Sequence, residues 1–299
     1  MSVLAHPFDD LDEDSSLAPP NSVLGKAFSI LSAFDGDSDS LRLVDLCQRS
    51  GVPKPSVYRL AQELVALGLL ERVGHEYRIG FSVFALSQRA GSTSLLRRVG
   101  RPVLVDLVAS TRGTAHLAIL KGTHTCYLEK LGGTRSVHSL SRVGGRLPLT
   151  CTASGKLLLA MAPDPNRLLE QLMDSDFPRL TAQSARNMQA VRRELVSIRT
   201  QRLATEREEA LVGYKSFAVP IYDSGDNAIA ALSLTVPVDH TGDAALINAL
   251  RLASHGITVQ HTRAAMSTPG VVAAQRLAEP VSLNGPDSFV ERRSAARLE

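Results

Sequence analysis

The stretch Leu43-Val-Asp-Leu-Cys-Gln-Arg-Ser-Gly-Val-Pro-Lys-Pro-Ser-Val-Tyr-Arg-Leu60 decides the fold of the N-terminal part of the chain. Leu43, Leu46 and Cys47 share one face of a short helix, and Gly51 stands where a helix C-terminus favours positive φ. After the tight turn Gly51-Val52-Pro53, the residues Val57, Leu60, Ala61, Leu64 and Leu67 repeat at helical spacing until Gly68. Pro55 suits the first helical position, where its missing N–H would be unpaired anyway. Upstream, Leu24, Ala27, Phe28, Leu31 and Phe34 form the apolar face of another helix, capped by Asn21 or Ser22 and ended by Asp35-Gly36-Asp37. Downstream, Leu69 to Val73 and Glu76 to Ile79 alternate around Gly74-His75, a two-residue hairpin signal. Helix, helix, turn, helix, hairpin is the order of a winged helix-turn-helix, here over residues 21–80.

A recognition helix buries one face and turns polar side chains from its N-terminal half toward base edges and phosphates. The residues placed for that are Lys54, Ser56, Tyr58, Arg59 and Gln62. Arginine pairs bidentately with guanine and glutamine with adenine, while Lys, Ser and Tyr hold phosphates. The hairpin adds Arg72, His75 and Arg78, placed to lie on the adjacent backbone or minor groove. Net charge does not favour this reading. Lys26, Arg42, Arg49, Lys54, Arg59, Arg72 and Arg78 are matched by an equal number of acids between Asn21 and Gly80. The distribution does favour it, because the bases gather on the second helix and the wing while Asp35, Asp37 and Asp39 lie on the far loop. A plain solvated helix face is the competing account, and winged helices also dock proteins.

With 299 residues, 44% of them apolar and 21% charged, the chain has room for a second globular domain. Residues 1–20 carry Asp9, Asp10, Asp12, Glu13 and Asp14 and no base, which reads as a disordered acidic tail and not as a secretory signal. Residues 81–101 read as a helical linker, within one or two helices running to Val108. From Thr114 short strands follow: Ala115 to Leu120, Cys126 to Leu131, and Val137 to Leu140. The loop Arg142 to Thr150 then enters a helix, Ala153 to Met161, stopped by Pro163. Two more helical stretches come next, the second over Ala185 to Arg202. Two apolar strands, Ser216 to Tyr222 and Ala228 to Val236, and a closing helix, Asp243 to Met266, complete the domain over 102–266. Residues 267–299 read as a disordered tail. No apolar run approaches the ~20 residues that cross a bilayer, and Cys47, Cys126 and Cys151 suggest neither disulfides nor a CxxC knuckle. A cytoplasmic protein is expected.

Two motifs carry a family likeness. The Leu43–Leu60 stretch resembles the DNA-binding segment of IclR-type regulators. Ser141-Arg-Val-Gly-Gly-Arg-Leu-Pro-Leu-Thr-Cys-Thr-Ala-Ser-Gly-Lys-Leu-Leu-Leu-Ala160 looks like the most distinctive motif of that family's effector domain. Glu206 to Pro220 and Ala230 to Thr235 are similar to its last two strands. The resemblance, from about Ser22 to Met266, implies an α+β architecture: a winged helix-turn-helix joined by a helical linker to a GAF-like effector-binding domain. It also implies dimers built through the winged-helix and linker regions, often tetramers, and control of a metabolic or catabolic operon by a small molecule.

Carried over position by position, the resemblance puts the effector's polar contacts at Ala153, Ser154, Glu206, Ser216, Ser233 and Thr235. Its apolar walls would be Val137, Leu140, Leu147 and Tyr214. Free N–H groups where the Ala153 helix opens suit a carboxylate, and Ser233 and Thr235 alternate along a strand and so share a face. Without the resemblance, Ser154 would pass for a helix cap and the other two for a polar strand face. Glu206 stands where the family often has Asp, and Ser216 where it commonly has Cys. Arg202-Leu203, Arg207 and Lys215 also depart from its usual residues.

No enzyme signature competes. Gly155-Lys156 has Thr150 where a phosphate loop needs its first glycine and Leu157 where it needs Ser or Thr. His124 and Cys126 alternate on one strand and could join Cys151 at a metal, but burial is the weightier account. The expectation is therefore a non-catalytic regulator without cofactor or metal, binding operator DNA, a small-molecule effector and itself, and no membrane. The alternatives are a sensor whose winged helix docks protein, and an enzyme with an appended DNA-binding module.

Overall fold

The computed structural model describes residues 21–34, 39–87, 91–132, 141–173 and 178–267. Both tails, the Asp35-Gly36-Asp37 helix stop, and the strand expected over Val137 to Leu140 lie outside those residues.

The N-terminal unit packs α1 (Val23–Ser32), α2 (Leu43–Ser50) and α3 (Lys54–Ala66) against a small sheet. That sheet comprises β1 (Leu41–Arg42), β2 (Leu70–Val73) and β3 (Glu76–Ile79), in the order β1-β3-β2. Ser22 caps α1 by accepting the Gly25 N–H at 3.0 Å. Gly51 closes α2 in the left-handed region at φ 65°. Pro55 falls at the second position of α3, since Lys54 is the first; an N–H is spare at either place. The hairpin pairs Val73 with Glu76 and Arg72 with Tyr77 around Gly74-His75.

One expectation fails here. Leu24 and Phe28, assigned to the buried face of α1, are 82% and 60% exposed, while Ile30 is fully buried. The helix carries two apolar stripes, and the core takes the one through Ala27, Ile30, Leu31 and Phe34. Leu24 and Phe28, one turn apart, form the other stripe, rotated away from α2 and α3.

Two helices follow, α4 (Phe81–Ser87) and α5 (Gly91–Thr111). The larger sheet contains β4 (Thr114–Lys121), β5 (His124–Gly132), β6 (Arg146–Pro148), β7 (Ala204–Arg207), β8 (Tyr214–Tyr222) and β9 (Ala228–Pro237). Its order is β6-β5-β4-β9-β8-β7, every pair antiparallel. α5 and α9 (Asp243–Met266) cover one face through Leu95, Val99, Leu104, Leu107, Leu250 and Ile257. On the other face α6 (Ala153–Met161), α7 (Pro165–Met173) and α8 (Met188–Gln201) build a second core around Leu157, Leu159, Leu169, Val191 and Leu195. Because both faces are covered, the inner strands β8 and β9 read as near-continuous apolar runs. β6 lies inside the expected Arg142 to Thr150 loop, and β7 was not foreseen. β6 has only three residues, and β7, whose burial does alternate, places Glu206 at an inward position where an apolar residue would have signalled a strand.

Two local features place the site. An ideal Cβ on Gly155 would sit 2.4 Å from the Leu149 carbonyl oxygen, so only glycine lets α6 lie this close to the chain that enters it. A bulge after Leu117 makes Tyr127 oppose Ala118 while Glu129 opposes Leu117. Tyr127 therefore belongs to the α6 side of the sheet, and Glu129, only 3% exposed, meets α5. There Arg97 and Arg101 reach its two oxygens at 2.8 and 2.9 Å. No helix among the described residues is long and apolar enough to cross a membrane.

Candidate effector cavity and DNA-facing surface

On α3 the side chains of Lys54, Tyr58, Arg59 and Gln62 are exposed and Ser56 is half-buried, opposite the buried Val57, Leu60, Ala61 and Leu64. Arg59 pairs with Glu63 one turn on at 3.0 Å. Both groups are solvated, so the pair is worth well under ~1 kcal/mol and yields readily to a better partner. On the wing, Arg72 donates to the Gly74 carbonyl at 3.1 Å and Arg78 pairs with Glu71 at 2.9 Å. His75 is exposed in the turn.

In the larger domain a cavity of about 450 Å³, its open mouth included, lies between the start of α6 and the strands β4, β5, β8 and β9. Ala153, Ser154, Glu206, Ser216, Ser233, Thr235, Leu147 and Tyr214 all line it. Val137 and Leu140 lie outside the described residues. His116, Tyr127, Ser141, Thr152, Ala210 and Leu211 also line it and were not foreseen. For His116 the missing information was register: it sits directly across from Ser233 once β4 and β9 are paired. Tyr127 needed the bulge as well.

The α6 end of the cavity is rich in donors. Thr152 caps the helix by accepting the Gly155 N–H at 3.0 Å, and the Lys156 N–H goes to the Thr152 carbonyl at 2.9 Å. The N–H groups of Ala153 and Ser154 have no partner among the described residues and stand at the positive end of the helix. The Ser154 hydroxyl donates to Ser233 at 2.8 Å.

At the other end Glu206 is 4% exposed. Its Oε1 accepts from the Ser216 hydroxyl at 2.5 Å, and its Oε2 from the backbone N–H groups of Glu209 and Ala210 at 2.9 and 3.3 Å. Burial holds this carboxyl above the ordinary glutamate range, and the Ser216 and backbone bonds only partly offset it. His116 is buried, lies 2.7 Å from the Ser141 hydroxyl and tilts against Tyr127 at 5.2 Å. Burial, helped by nearby Lys130, drops its pKa to about 3, so the imidazole is neutral at physiological pH. Burial likewise pushes the Tyr127 hydroxyl up, beyond what its Thr152 and Ser154 neighbours offset. Among the described lining residues Glu206 is the one carboxyl group.

Behind the cavity Lys156 is fully buried between Glu194 of α8 and Glu209 of the turn joining β7 to β8, each at 2.7 Å. Cys151 donates to the Pro178 carbonyl at 3.2 Å, and among the described residues no three metal-binding side chains come together.

A winged helix-turn-helix carried on a domain with a small polar cavity defines a DNA-binding regulator governed by a small molecule. The family model described as "Bacterial transcriptional regulator IclR C-terminal" matches residues 88–258, and the "IclR helix-turn-helix domain" matches 23–74. This chain belongs to the IclR family of transcriptional regulators, a family of regulators and not of enzymes. It is 30% identical to the HTH-type transcriptional regulator XynR of Escherichia coli (strain K12), over 75% of this chain and 89% of that one. It is 32% identical to the regulator KdgR of Dickeya chrysanthemi, over 76% of this chain and 74% of that one. Among solved structures, an IclR homolog from Microbacterium hydrocarbonoxydans complexed with 4-hydroxybenzoate superposes with a TM-score of 0.74 at 28% identity, covering 80% of this chain and 99% of that one.

Proposed function

We propose that the effector is a small organic acid, that it binds in the cavity at the start of α6, and that it controls operator binding at a metabolic or catabolic operon. The observation that carries this is the pair of unpartnered N–H groups at Ala153 and Ser154, which open into the cavity at a helix N-terminus. The structural relative with 4-hydroxybenzoate bound supports an acid of that size. Calorimetry of the full chain with small carboxylic acids, followed by gel shifts on the protein's own upstream DNA with and without the acid that binds, tests it. An upstream region never retained would favour protein docking by the winged helix instead.

The dimer implied by the family would use the exposed apolar residues Leu24 and Phe28 of α1 with Phe81, Phe84 and Leu86 of α4. A symmetric dimer presents two recognition helices, so the operator should be a palindrome or a repeated half-site. A footprint over one isolated half-site would contradict that.

On the DNA, Arg59→Ala should cost ~1–3 kcal/mol in operator affinity and relax one base position. Lys54→Ala should instead weaken all sequences alike and flatten the salt dependence by about one ion. Gel shifts against single-base operator variants, repeated across salt concentrations, separate the two effects. Unchanged affinity in both variants would refute the α3 docking mode.

A further inference from the structure

The hydroxyl protons of Ser154, Ser216 and Thr235 are constrained, and tracing them shows what a ligand has to offer. Ser216 has one proton, and it goes to Glu206 Oε1 at 2.5 Å. In the 3.0 Å contact between the Ser216 and Thr235 hydroxyls, Thr235 is therefore the donor, because Ser216 has only lone pairs left. Glu206 Oε2 spends both lone pairs on the N–H groups of Glu209 and Ala210, while Oε1 keeps one. Glu206, Ser216 and Thr235 thus present only acceptors to the cavity.

The α6 end is the reverse. Ser154 gives its proton to Ser233, so the Ser233 proton has no taker among the described residues. Ser233 is 3% exposed and lines the cavity, which is where that proton can be used. With the N–H groups of Ala153 and Ser154, this end presents three donors. Ser233 and Thr235 mark the two ends and stand two residues apart on β9, about 7 Å along the strand.

We infer that the effector is an acid carrying a hydrogen-bond donor, a hydroxyl or an amine, about 7 Å from its carboxylate. The carboxylate takes the donors at Ala153, Ser154 and Ser233, and the distal group donates to Glu206 and Thr235. An aromatic acid with a para hydroxyl fits this span; an α-hydroxy acid or an ortho-hydroxybenzoate is too short. The inference rests on the acid-effector reading above and adds polarity and length to it.

Calorimetry of the full chain with benzoate, 4-hydroxybenzoate, 4-methoxybenzoate and 2-hydroxybenzoate tests it, with pentanoate and 5-hydroxypentanoate as an aliphatic pair. The para- or ω-hydroxylated member should bind at least tenfold tighter than its partner lacking the proton, and 2-hydroxybenzoate should gain nothing over benzoate. The methoxy compound keeps the oxygen and loses the proton, so it isolates the donor. In Glu206→Gln, which turns an acceptor into a donor, the hydroxyl preference should fall to threefold or less while the melting temperature confirms folding. Binding of benzoate or 4-methoxybenzoate as tight as that of 4-hydroxybenzoate in the unmodified protein overturns the inference and leaves the acid reading standing. Absence of binding by every acid overturns both.

Discussion

Lys156→Met is expected to destabilise the effector domain by about 3–5 kcal/mol, the cost of stranding a buried charge when its partner is removed. The Lys156 side chain is fully buried, with Glu194 and Glu209 at 2.7 Å. Burial disfavours its charge, but the two carboxylates outweigh that and hold its pKa above the ordinary lysine value. Without the ammonium, Glu194 can turn to water, since its side chain is 41% exposed. Glu209 cannot, being 15% exposed and raised in pKa by burial already. Its turn is held elsewhere: the Glu209 carbonyl accepts from Ser184 at 2.7 Å, and Thr181 donates to the Glu208 carbonyl at 2.6 Å. The backbone should therefore stay in place and leave the charge in the core. Urea unfolding followed by circular dichroism measures the loss. Lys156→Met/Glu209→Gln should recover much of it, because the stranded charge is gone. A single-variant loss below ~1 kcal/mol would show that Glu209 finds water or a proton cheaply, and the proposed cost would be wrong.

Lys156 also illustrates what the sequence concealed. Gly155-Lys156 drew notice only as a failed phosphate loop; nothing near it announces a buried ion pair, because Glu194 and Glu209 lie 38 and 53 residues downstream. The features that were legible are local. The start of α6 at Ala153, the full span of α9 and the Gly74-His75 turn all follow from caps, breakers and periodicity within one or two turns of chain. α1 misled because two apolar stripes satisfy the same spacing rule, and only tertiary packing selects the one through Ile30. Most of the cavity came from the family likeness and not from pattern. The N–H groups at Ala153 and Ser154 could be argued physically, but joining Glu206 to Ser216 required knowing that β7 pairs with β8.

Filling the cavity should abolish the response to effector while leaving the ligand-free protein on its operator. Ser154 and Ser233 are 2% and 3% exposed and touch through their hydroxyls, so Leu at either place occupies the space between α6 and β9. Overpacking of this kind costs ~1–3 kcal/mol, tolerable if a melt confirms folding. An effector moves operator affinity only by its difference in affinity for two arrangements of the protein, typically ~1–3 kcal/mol, or about 5–150-fold. In Ser233→Leu or Ser154→Leu that factor should fall to one, with ligand-free operator binding within about threefold of normal. Arg59→Ala should do the opposite, weakening operator binding by ~1–3 kcal/mol while calorimetry still registers the acid. The described residues offer a route from the cavity to α5. Tyr127 touches the cavity, and Glu129, two residues along the same strand and turned to the other face by the bulge, grips Arg97 and Arg101 of α5. In the sequence α5 comes next after α4 and the winged helix, with residues 88–90 between. If gel shifts on Ser233→Leu and Ser154→Leu show release by the effector at unaltered concentration, the effector acts from elsewhere on the molecule, and neither the cavity nor this route carries the signal.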